Sequence, residues 1–228
     1  MMERIKTGIV GFDELIEGGF PKGATVLVYG PCGSGKTTFG VQFLYKGATE
    51  FGEPGVYITL ESEAEEVRRY YEEMGWELKR LEDESKMRII KVEPSTVRAF
   101  VERQGTSILE IIQEIGAKRV VFDSLTFYAM YFPDDFEKRK SVLDLCNLIK
   151  KLGCTAIIIA ESFDKHPIFS GMAEFIVDGV IRLNLIKMGP EYKFSLNIIK
   201  MRGTKHSRKI HIFEINRGEG IRVTGTLS

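Results

Sequence analysis

Short apolar runs alternate with amphipathic stretches along most of the chain. The runs ATVLVYG, GVYITL, MRIIKV, VVFD and TAIIIAE have the length and composition of buried strands. The stretches between them have helical periodicity, and one of them places five apolar residues on a single face: Val142, Leu145, Leu148, Ile149 and Leu152. This alternation predicts a parallel sheet flanked by helices.

From about Phe175 the pattern changes to strands without intervening helices. The segments FIVDGVIRLNLIKMG, YKFSLNIIKMRG and KIHIFEI are predicted to be consecutive antiparallel strands, with turns at Gly189-Pro190 and around Gly203. No repeat or Pro/Ser-rich linker divides the chain. We therefore expect one α/β domain over residues 1–228, with a mainly parallel twisted sheet that ends in an antiparallel β-meander.

Composition excludes some functional classes. Lys+Arg and Asp+Glu both number 32, so no global positive charge attracts nucleic acid, although a local basic groove stays open. The cysteines Cys32, Cys146 and Cys154 lack metal-ligand spacing, and their odd number fits a reducing cytoplasm. The start of the chain is too polar for a signal peptide, and no apolar run approaches the ~20 residues of a membrane span. The sequence predicts a soluble cytoplasmic protein.

The stretch GPCGSGKTT after the first long strand has the spacing of a phosphate-binding loop. We expect contacts to ATP or ADP from Gly30, Pro31, Cys32, Gly33, Ser34, Gly35, Lys36, Thr37 and Thr38. Lys36 is placed to reach the β- and γ-phosphates, Thr37 to bind Mg²⁺ and Thr38 to contact the α-phosphate. The alternative, a glycine-rich turn without function, does not explain the complete motif between a strand and a helix.

Two acidic residues each end a predicted strand of this pattern. Asp123 ends KRVVFD and is the predicted second magnesium residue, acting through the water shell of the ion. Its alternative role is a cap for the following turn. Glu61 ends YITLE and is the candidate general base, since a carboxylate there could orient and deprotonate water. Three further glutamates are interpreted as solvated charge at a helix start: Glu63, Glu65 and Glu66.

Several segments together resemble a known family. TGIVGFDELIEGGFPKGATVLVYGPCGSGKTT, GEPGVYITLESE, RVVFDSLT, IAES and IKMRGTKH stand in the order found in KaiC-type ATPases of the RecA superfamily. The resemblance spans nearly the whole chain, about one KaiC domain. The first segment is shared with RadA-like recombinases, whereas KMRGTKH is more particular to KaiC-like domains. The resemblance implies a RecA-like P-loop NTPase fold and a ring, typically of six subunits, with ATP between neighbours.

The resemblance also implies residues that act across a subunit interface. Residues matching Lys200 and Arg202 point in KaiC-like domains at the γ-phosphate held by the next subunit, and His206 matches a residue lining that interface. On an extended strand Lys200 and Arg202 share one face, because side chains alternate with a period of two. Their alternative role is ordinary strand-end charge. Glu161 matches a polar position that could sense the γ-phosphate, or it is a satisfied strand-end acid.

Two departures from KaiC limit what carries over. The catalytic acid of KaiC is followed by a second glutamate, whereas Glu61 is followed by Ser62, which predicts slow hydrolysis. The Ser-Thr pair that the KaiC kinase domain phosphorylates on itself corresponds to Glu174 and Phe175, which carry no hydroxyl. Self-phosphorylation at that place and a clock role are therefore not expected.

Two stretches are candidates for contact with a partner: 125–132, which is LTFYAMYF, and 163–175, which is FDKHPIFSGMAEF. Aromatic residues can stack on single-stranded DNA, but these stretches contain almost no cations, so core packing or a subunit interface is the favoured interpretation. The leading hypothesis is a slow Mg²⁺-dependent ATPase that works as an oligomeric nucleotide-dependent switch with an unknown protein partner. The alternatives are a RadA/RecA-like ATPase on single-stranded DNA and a nucleotide-stabilised scaffold without useful turnover.

Overall fold

The apolar runs form the strands of a central nine-stranded sheet in a computed structural model that describes residues 2–102, 107–162 and 170–227. The strands are β1 Arg4–Ile5, β2 Phe20–Pro21, β3 Thr25–Gly30, β4 Gly55–Thr59, β5 Met87–Lys91, β6 Arg119–Asp123, β7 Thr155–Glu161, β8 Gly179–Met188, β9 Glu191–Met201, β10 His211–Asn216 and β11 Gly220–Thr226. The helices are α1 Lys36–Glu50, α2 Ala64–Glu73, α3 Leu78–Asp83, α4 Pro94–Val101, α5 Ser107–Glu114, α6 Leu125–Met130, α7 Asp135–Lys151 and α8 Ser170–Ile176. A 3₁₀ turn spans Asp13–Ile16, and β1 and β2 form a separate antiparallel pair.

The order of strands in the large sheet is β11-β10-β9-β8-β3-β7-β6-β4-β5. The six strands from β8 to β5 run parallel to one another, and β8, β9, β10 and β11 pair antiparallel. The predicted fold class, a mainly parallel sheet with an antiparallel end, is confirmed. Since β3 lies between β7 and β8, its carboxyl end opens near the middle of the sheet, where ligands of such folds bind.

Each face of the sheet is covered by its own apolar cluster. Val26 and Val28 of β3 pack with Phe39 and Phe43 of α1 on one face, whereas Leu27 packs with the α4–α7 side on the other. This follows from the two-residue period of strands, and burial on both faces explains why β3 reads as a continuous apolar run. None of the helices in the described part of the chain combines the length and apolar character needed to span a membrane.

Some elements differ from the sequence-based expectation. The apolar run FIVDG does not begin a strand, because Phe175 and Ile176 end α8 and β8 starts at Gly179. A short apolar run does not by itself distinguish a helix end from a buried strand. The predicted turn at Gly189-Pro190 joins β8 to β9, but β9 and β10 are separated by the longer segment 202–210. The strand β11 was missed because its composition is largely polar, as edge positions allow.

Arg119 fastens α1 to the amino end of β6. Its side chain is 0% exposed, pairs with Glu53 and donates to the carbonyl oxygens of Phe43 (2.7 Å) and Lys6 (2.9 Å). The guanidinium also lies over the rings of Phe43 and Phe51, 4.4 and 5.2 Å from their centroids. One buried cation thus connects the start of the chain, α1 and the sheet.

We expect Arg119→Met to destabilise the protein by about 3 kcal/mol, because it leaves Glu53 and two carbonyl oxygens without their donor. The melting temperature should fall by roughly 6–12 °C in a thermal unfolding experiment. Arg80→Met is the matched control, since Arg80 is paired with Glu77 and Glu84 at the surface and exposed pairs contribute only about 0–1 kcal/mol. Equal melting temperatures for the two variants would contradict the anchoring role.

Candidate functional site

The glycine-rich loop connects β3 to α1 at the carboxyl end of the sheet. Gly33 and Gly35 have φ angles of 74° and 90°, a backbone region that favours glycine. Gly35 caps α1, so the first free N–H groups of a 15-residue helix point toward the loop. Ser34 Oγ is buried and has no hydrogen-bond partner among the described residues. Free backbone N–H groups and an unpaired hydroxyl are donors suited to phosphate oxygens, so the loop fits a nucleotide phosphate.

Lys36 is the first residue of α1 and is 7% exposed. Its Nζ donates to the carbonyl oxygen of Pro31 at 2.8 Å, which curls the side chain over the loop. Burial lowers the pKa of Lys36, and the carboxylates of Glu161 and Asp123 oppose that shift. Among the described residues that line the cleft, Lys36 is the one Lys or Arg. Phosphates bound there would therefore meet one basic side chain among the described lining residues.

The loop borders a cleft of about 340 Å³, within the usual size range of small-molecule sites. Its lining combines the phosphate loop with residues from the ends of three neighbouring strands: Cys32, Gly33, Ser34, Gly35, Lys36, Thr37, Thr38, Thr59, Glu61, Ser62, Asp123, Ser124 and Glu161. The structure thus brings the predicted loop residues, Asp123 and Glu61 into one cleft. The predicted Gly30 and Pro31 are not among the lining residues, and the Gly30 carbonyl oxygen accepts a hydrogen bond from the Ser162 amide at 3.0 Å.

Asp123 ends β6 and faces the first turn of α1. Its Oδ2 accepts hydrogen bonds from Thr37 Oγ1 at 3.0 Å and from the hydroxyl of Tyr57 at 2.5 Å. Burial raises the pKa of Asp123, and these two hydrogen bonds oppose the shift. A hydroxyl beside a carboxylate is the donor set that Mg²⁺ prefers when nucleotide phosphates complete its shell. The described residues contain no cluster of three or more His, Cys, Asp or Glu side chains for a metal held by protein alone.

Glu61 follows β4 and is exposed to the cleft. Its Oε1 accepts a hydrogen bond from Ser124 Oγ at 2.8 Å, and the same Ser124 oxygen accepts from the Phe127 amide at the start of α6. The serine therefore uses its one hydrogen on the carboxylate. Glu63 caps α2 and forms an ion pair with Lys91, outside the cleft lining. Glu161 does line the cleft, at the end of β7.

Two tyrosines beneath the loop were missed in the sequence. Tyr57 contacts Asp123, and the Tyr71 hydroxyl lies 3.2 Å from Thr38 Oγ1. Tyr71 stacks on Trp76, which stacks on Tyr45, with centroid distances of 5.4 and 5.0 Å. Neither was singled out, because Tyr57 stands within the apolar run GVYITL and Tyr71 within a charged helical stretch. A signal for Tyr57 was available in the sequence. The two-residue period of a strand places Tyr57 on the same side of β4 as Thr59, which lines the cleft.

Lys200 and Arg202 lie away from the cleft of their own chain. Met201 pairs with Gly179, and Gly179 pairs with Val26 at the beginning of β3. The phosphate loop begins after Gly30, roughly 13 Å further along β3 at the usual rise of a strand. The structure therefore places these cations near the amino ends of the parallel strands, whereas the loop lies at their carboxyl ends.

The contacts of the two cations are with the end of α8. Lys200 Nζ donates to the carbonyl oxygens of Glu174 and Val177, each at 2.7 Å, and Arg202 donates to that of Phe175 at 2.7 Å. Burial and the neighbouring Arg202 lower the pKa of Lys200. Both side chains thus reach one helix end, where cations are favoured by the free carbonyl groups.

His206 lies in the segment 202–210, with Nδ1 2.9 Å from the carbonyl oxygen of Ser207. It does not line the cleft. The Ser207 amide donates to the carbonyl oxygen of Leu15, which ties this segment to the amino-terminal part of the chain.

The site and the sheet that carries it correspond to a known family. The family model described as KaiC, an ATPase, matches residues 5–228. The chain belongs to the KaiC family of ATPases. This confirms the resemblance seen in the motifs from TGIVGFDE to IKMRGTKH.

The chain spans nearly the whole length of some relatives and less than half the length of others. The UPF0273 protein MJ1359 of Methanocaldococcus jannaschii is 38% identical, with 96% of each chain covered. A UPF0273 protein of Thermotoga maritima is 35% identical, over 94% of this chain and 93% of that protein. The circadian clock oscillator protein KaiC of Thermosynechococcus vestitus is 34% identical over 99% of this chain, which spans 45% of that KaiC.

A solved structure confirms the fold. The KaiC-like protein PH0186 from Pyrococcus horikoshii superposes with a TM-score of 0.88 at 42% identity, covering 98% of this chain and 100% of that chain. The predicted RecA-like architecture, with a parallel sheet and an antiparallel end, is therefore that of the KaiC family.

Proposed function

We propose that this protein binds ATP and ADP together with Mg²⁺ and hydrolyses ATP slowly. The observation that carries the proposal is the convergence of Lys36, the Thr37–Asp123 pair and Glu61 in one cleft. Each group has the chemistry that one part of the reaction requires, and membership of a family of ATPases supports the same reaction. One sheet carries all of these groups, which supports a single domain over residues 1–228.

In the proposed mechanism the loop N–H groups and Lys36 hold the phosphates, and Thr37 and Asp123 hold the metal. When bound, Mg²⁺ supplies neutralisation of the charge that develops on the phosphate oxygens. Glu61 orients a water molecule and takes its proton as the water oxygen bonds to the γ-phosphorus. The bond from that phosphorus to the bridging oxygen breaks, and ADP and inorganic phosphate leave. The Ser124 hydroxyl fixes the direction of the Glu61 carboxylate.

The proposal includes assembly of the protein into a ring of six subunits, as the resemblance to KaiC-type ATPases implies. Lys200 and Arg202 cannot reach the phosphate loop of their own chain, because they lie near the amino ends of the parallel strands and the loop lies at the carboxyl ends. A role at the γ-phosphate is therefore compatible only with the site of a neighbouring subunit, where they would stabilise charge in the transition state. The alternative is that Lys200 and Arg202 are ordinary strand-end charges with a structural role. Their contacts within the chain fit this alternative too, since both bind the end of α8.

The DNA-binding alternative gains no support from the first partner stretch. Leu125, Tyr128 and Phe132 are buried in the core, whereas Met130 and Tyr131 are exposed without a Lys or Arg in the stretch. Much of the second stretch, at positions 163–169, lies outside the described residues. Salt-sensitive, ATP-dependent binding to single-stranded DNA would be needed to favour that alternative.

Phosphate release from wild-type protein tests the proposed activity. We expect phosphate and ADP to appear in equal amounts with ATP and Mg²⁺, and no release above buffer with EDTA. Tight nucleotide binding without phosphate release would contradict hydrolysis and favour a nucleotide-stabilised scaffold.

Mixing two variants tests whether the site is shared between subunits. Arg202→Ala subunits should bind ATP but hydrolyse it roughly 10²-fold or more slowly, because the lost charge acts on a neighbour's transition state. Glu61→Gln subunits keep Arg202 but lack the base. Rings that exchange both kinds of subunit contain some complete sites, so partial ATPase activity should return on mixing.

Arg208→Ala is the matched control for charge loss in the same exposed segment, and it should hydrolyse ATP like wild type. If labelled subunits exchange and activity stays at the level of the separate variants, the sharing of sites is wrong. Thermal unfolding of Arg202→Ala checks that the lost contacts with Phe175 and Asp178 have not unfolded the chain.

A further inference from the structure

Tyr57 places a hydroxyl group directly behind the proposed metal site. It lies on β4, between β6 and β5, and its side chain is 1% exposed. The ring packs in the apolar cluster shared by α1 and the sheet. Only the hydroxyl makes a polar contact, 2.5 Å from Oδ2 of Asp123.

Packing alone does not require that hydroxyl. A phenylalanine ring would fill nearly the same space, and a buried hydroxyl costs free energy unless it is hydrogen-bonded. In the described chain the hydroxyl bonds to the carboxylate of Asp123 and also lies within hydrogen-bonding reach of Thr37, and both residues line the cleft. The Tyr57 hydroxyl oxygen therefore contributes to the environment of Asp123 and not to packing of the core.

Asp123 Oδ2 receives two hydrogen bonds, each from a different element of the fold. Thr37 Oγ1 donates from the first turn of α1, and Tyr57 donates from the central sheet. No donor among the described residues bonds to Oδ1. The arrangement engages one oxygen with the protein and leaves the other free to accept hydrogen bonds from the water shell of a metal.

The torsion that rotates a carboxylate about its Cβ–Cγ bond is soft, so an aspartate needs neighbours to fix its plane. Thr37 is itself expected to bind the metal and belongs to the loop side of the cleft. The Tyr57 hydroxyl is carried by a rigid, buried ring on a strand inside the sheet. Of the two donors, Tyr57 is therefore the one whose position is fixed independently of the loop.

We propose that Tyr57 is a positioning residue for magnesium, which orients the Asp123 carboxylate and so sets how much Mg²⁺ strengthens nucleotide binding. This inference rests on the proposed function, because it concerns the same cleft. It assigns to Tyr57 no contact with nucleotide or water and no proton transfer. Its effect on the metal acts through the orientation of the Asp123 carboxylate.

The test compares ADP affinity with and without the metal in Tyr57→Phe. Isothermal titration calorimetry with excess Mg²⁺ and with EDTA gives two dissociation constants for each protein. We expect the EDTA value to stay unchanged, whereas the strengthening by Mg²⁺ should fall about tenfold, as is usual when a partner of a metal ligand is lost.

Tyr128→Phe is the matched control. Tyr128 is also buried at 1% exposure, and its hydroxyl is engaged with Ser141, away from the cleft. This variant removes the same atom from another part of the core, so both ADP affinities should match wild type. Because the readout is a ratio of two affinities of one preparation, partial loss of folded protein cancels.

The outcomes separate the two levels of the proposal. If wild type binds ADP equally well with Mg²⁺ and EDTA, the proposed magnesium site itself is wrong. If wild type shows the metal effect and Tyr57→Phe shows it undiminished, or loses both affinities equally, the positioning role is overturned. In an Asp123→Asn background Tyr57→Phe should change the Mg²⁺ effect no further, and an independent loss there would equally overturn it.

Discussion

Lys36→Ala should weaken ATP binding by roughly a hundredfold or more, because it removes a desolvated cation from the phosphates of the nucleotide. Lys36 is almost fully buried, and among the described residues of the cleft lining it is the one basic side chain. The backbone N–H groups that remain carry only partial charges. Equilibrium binding of ATP, measured by calorimetry, gives the affinity directly.

Replacement of Lys36 by arginine should not restore binding. The planar guanidinium is larger than an ammonium group, and the loop brings Nζ within 2.8 Å of the Pro31 carbonyl oxygen. Lys46→Ala is the matched control on the same helix, because Lys46 pairs with Glu50 at the surface and should not affect ATP affinity. Unchanged ATP affinity in Lys36→Ala would remove the basis for a phosphate site at this loop.

Glu61→Gln should bind ATP like wild type and hydrolyse it roughly 10²–10⁴-fold more slowly, the usual range for the loss of a general base. The amide can still accept the hydrogen bond from Ser124 Oγ, so the position of the side chain is kept. It cannot accept a proton from water. Phosphate release under saturating ATP measures the effect on turnover.

Glu63→Gln is the control for charge near the site. Glu63 caps α2 and pairs with Lys91, so its loss should leave hydrolysis unchanged. Undiminished turnover in Glu61→Gln would assign the base elsewhere. The structure makes Glu161 the next candidate, because its side chain lines the cleft whereas that of Glu63 does not.

The part of the site that depends on local sequence could be predicted. The spacing from Gly30 to Thr38 predicts a loop between a strand and a helix, and the structure places residues 32–38 in the cleft lining, without Gly30 and Pro31. Asp123 and Glu61 were predictable because parallel strands end at one edge of the sheet. The structure adds that their strands β6 and β4 are neighbours, with Asp123 paired to Thr59.

Features that depend on packing between distant segments were not predictable. Tyr57 and Trp76 belong to no recognised motif of the sequence, and only the folded chain shows that the first contacts Asp123 and that the second stacks on Tyr71. Lys200 and Arg202 contact the end of α8, and this helix was not predicted because the apolar run FIVDG was interpreted as the start of a strand. Strand periodicity predicts that both cations share one face; the structure brings both to the end of α8, although β9 ends at Met201 and Arg202 lies just beyond it.

The nucleotide that remains on the protein after incubation with ATP and Mg²⁺ tests the central claim most directly. The claim is that this cleft cleaves ATP and that Glu61 is its base. Wild-type and Glu61→Gln protein would be incubated with ATP, separated from free nucleotide, denatured and analysed by chromatography, with Lys36→Ala as the non-binding reference. The account predicts ADP on wild type, intact ATP on Glu61→Gln and neither on Lys36→Ala. ADP on Glu61→Gln at the wild-type rate, or intact ATP on wild type throughout, would contradict it.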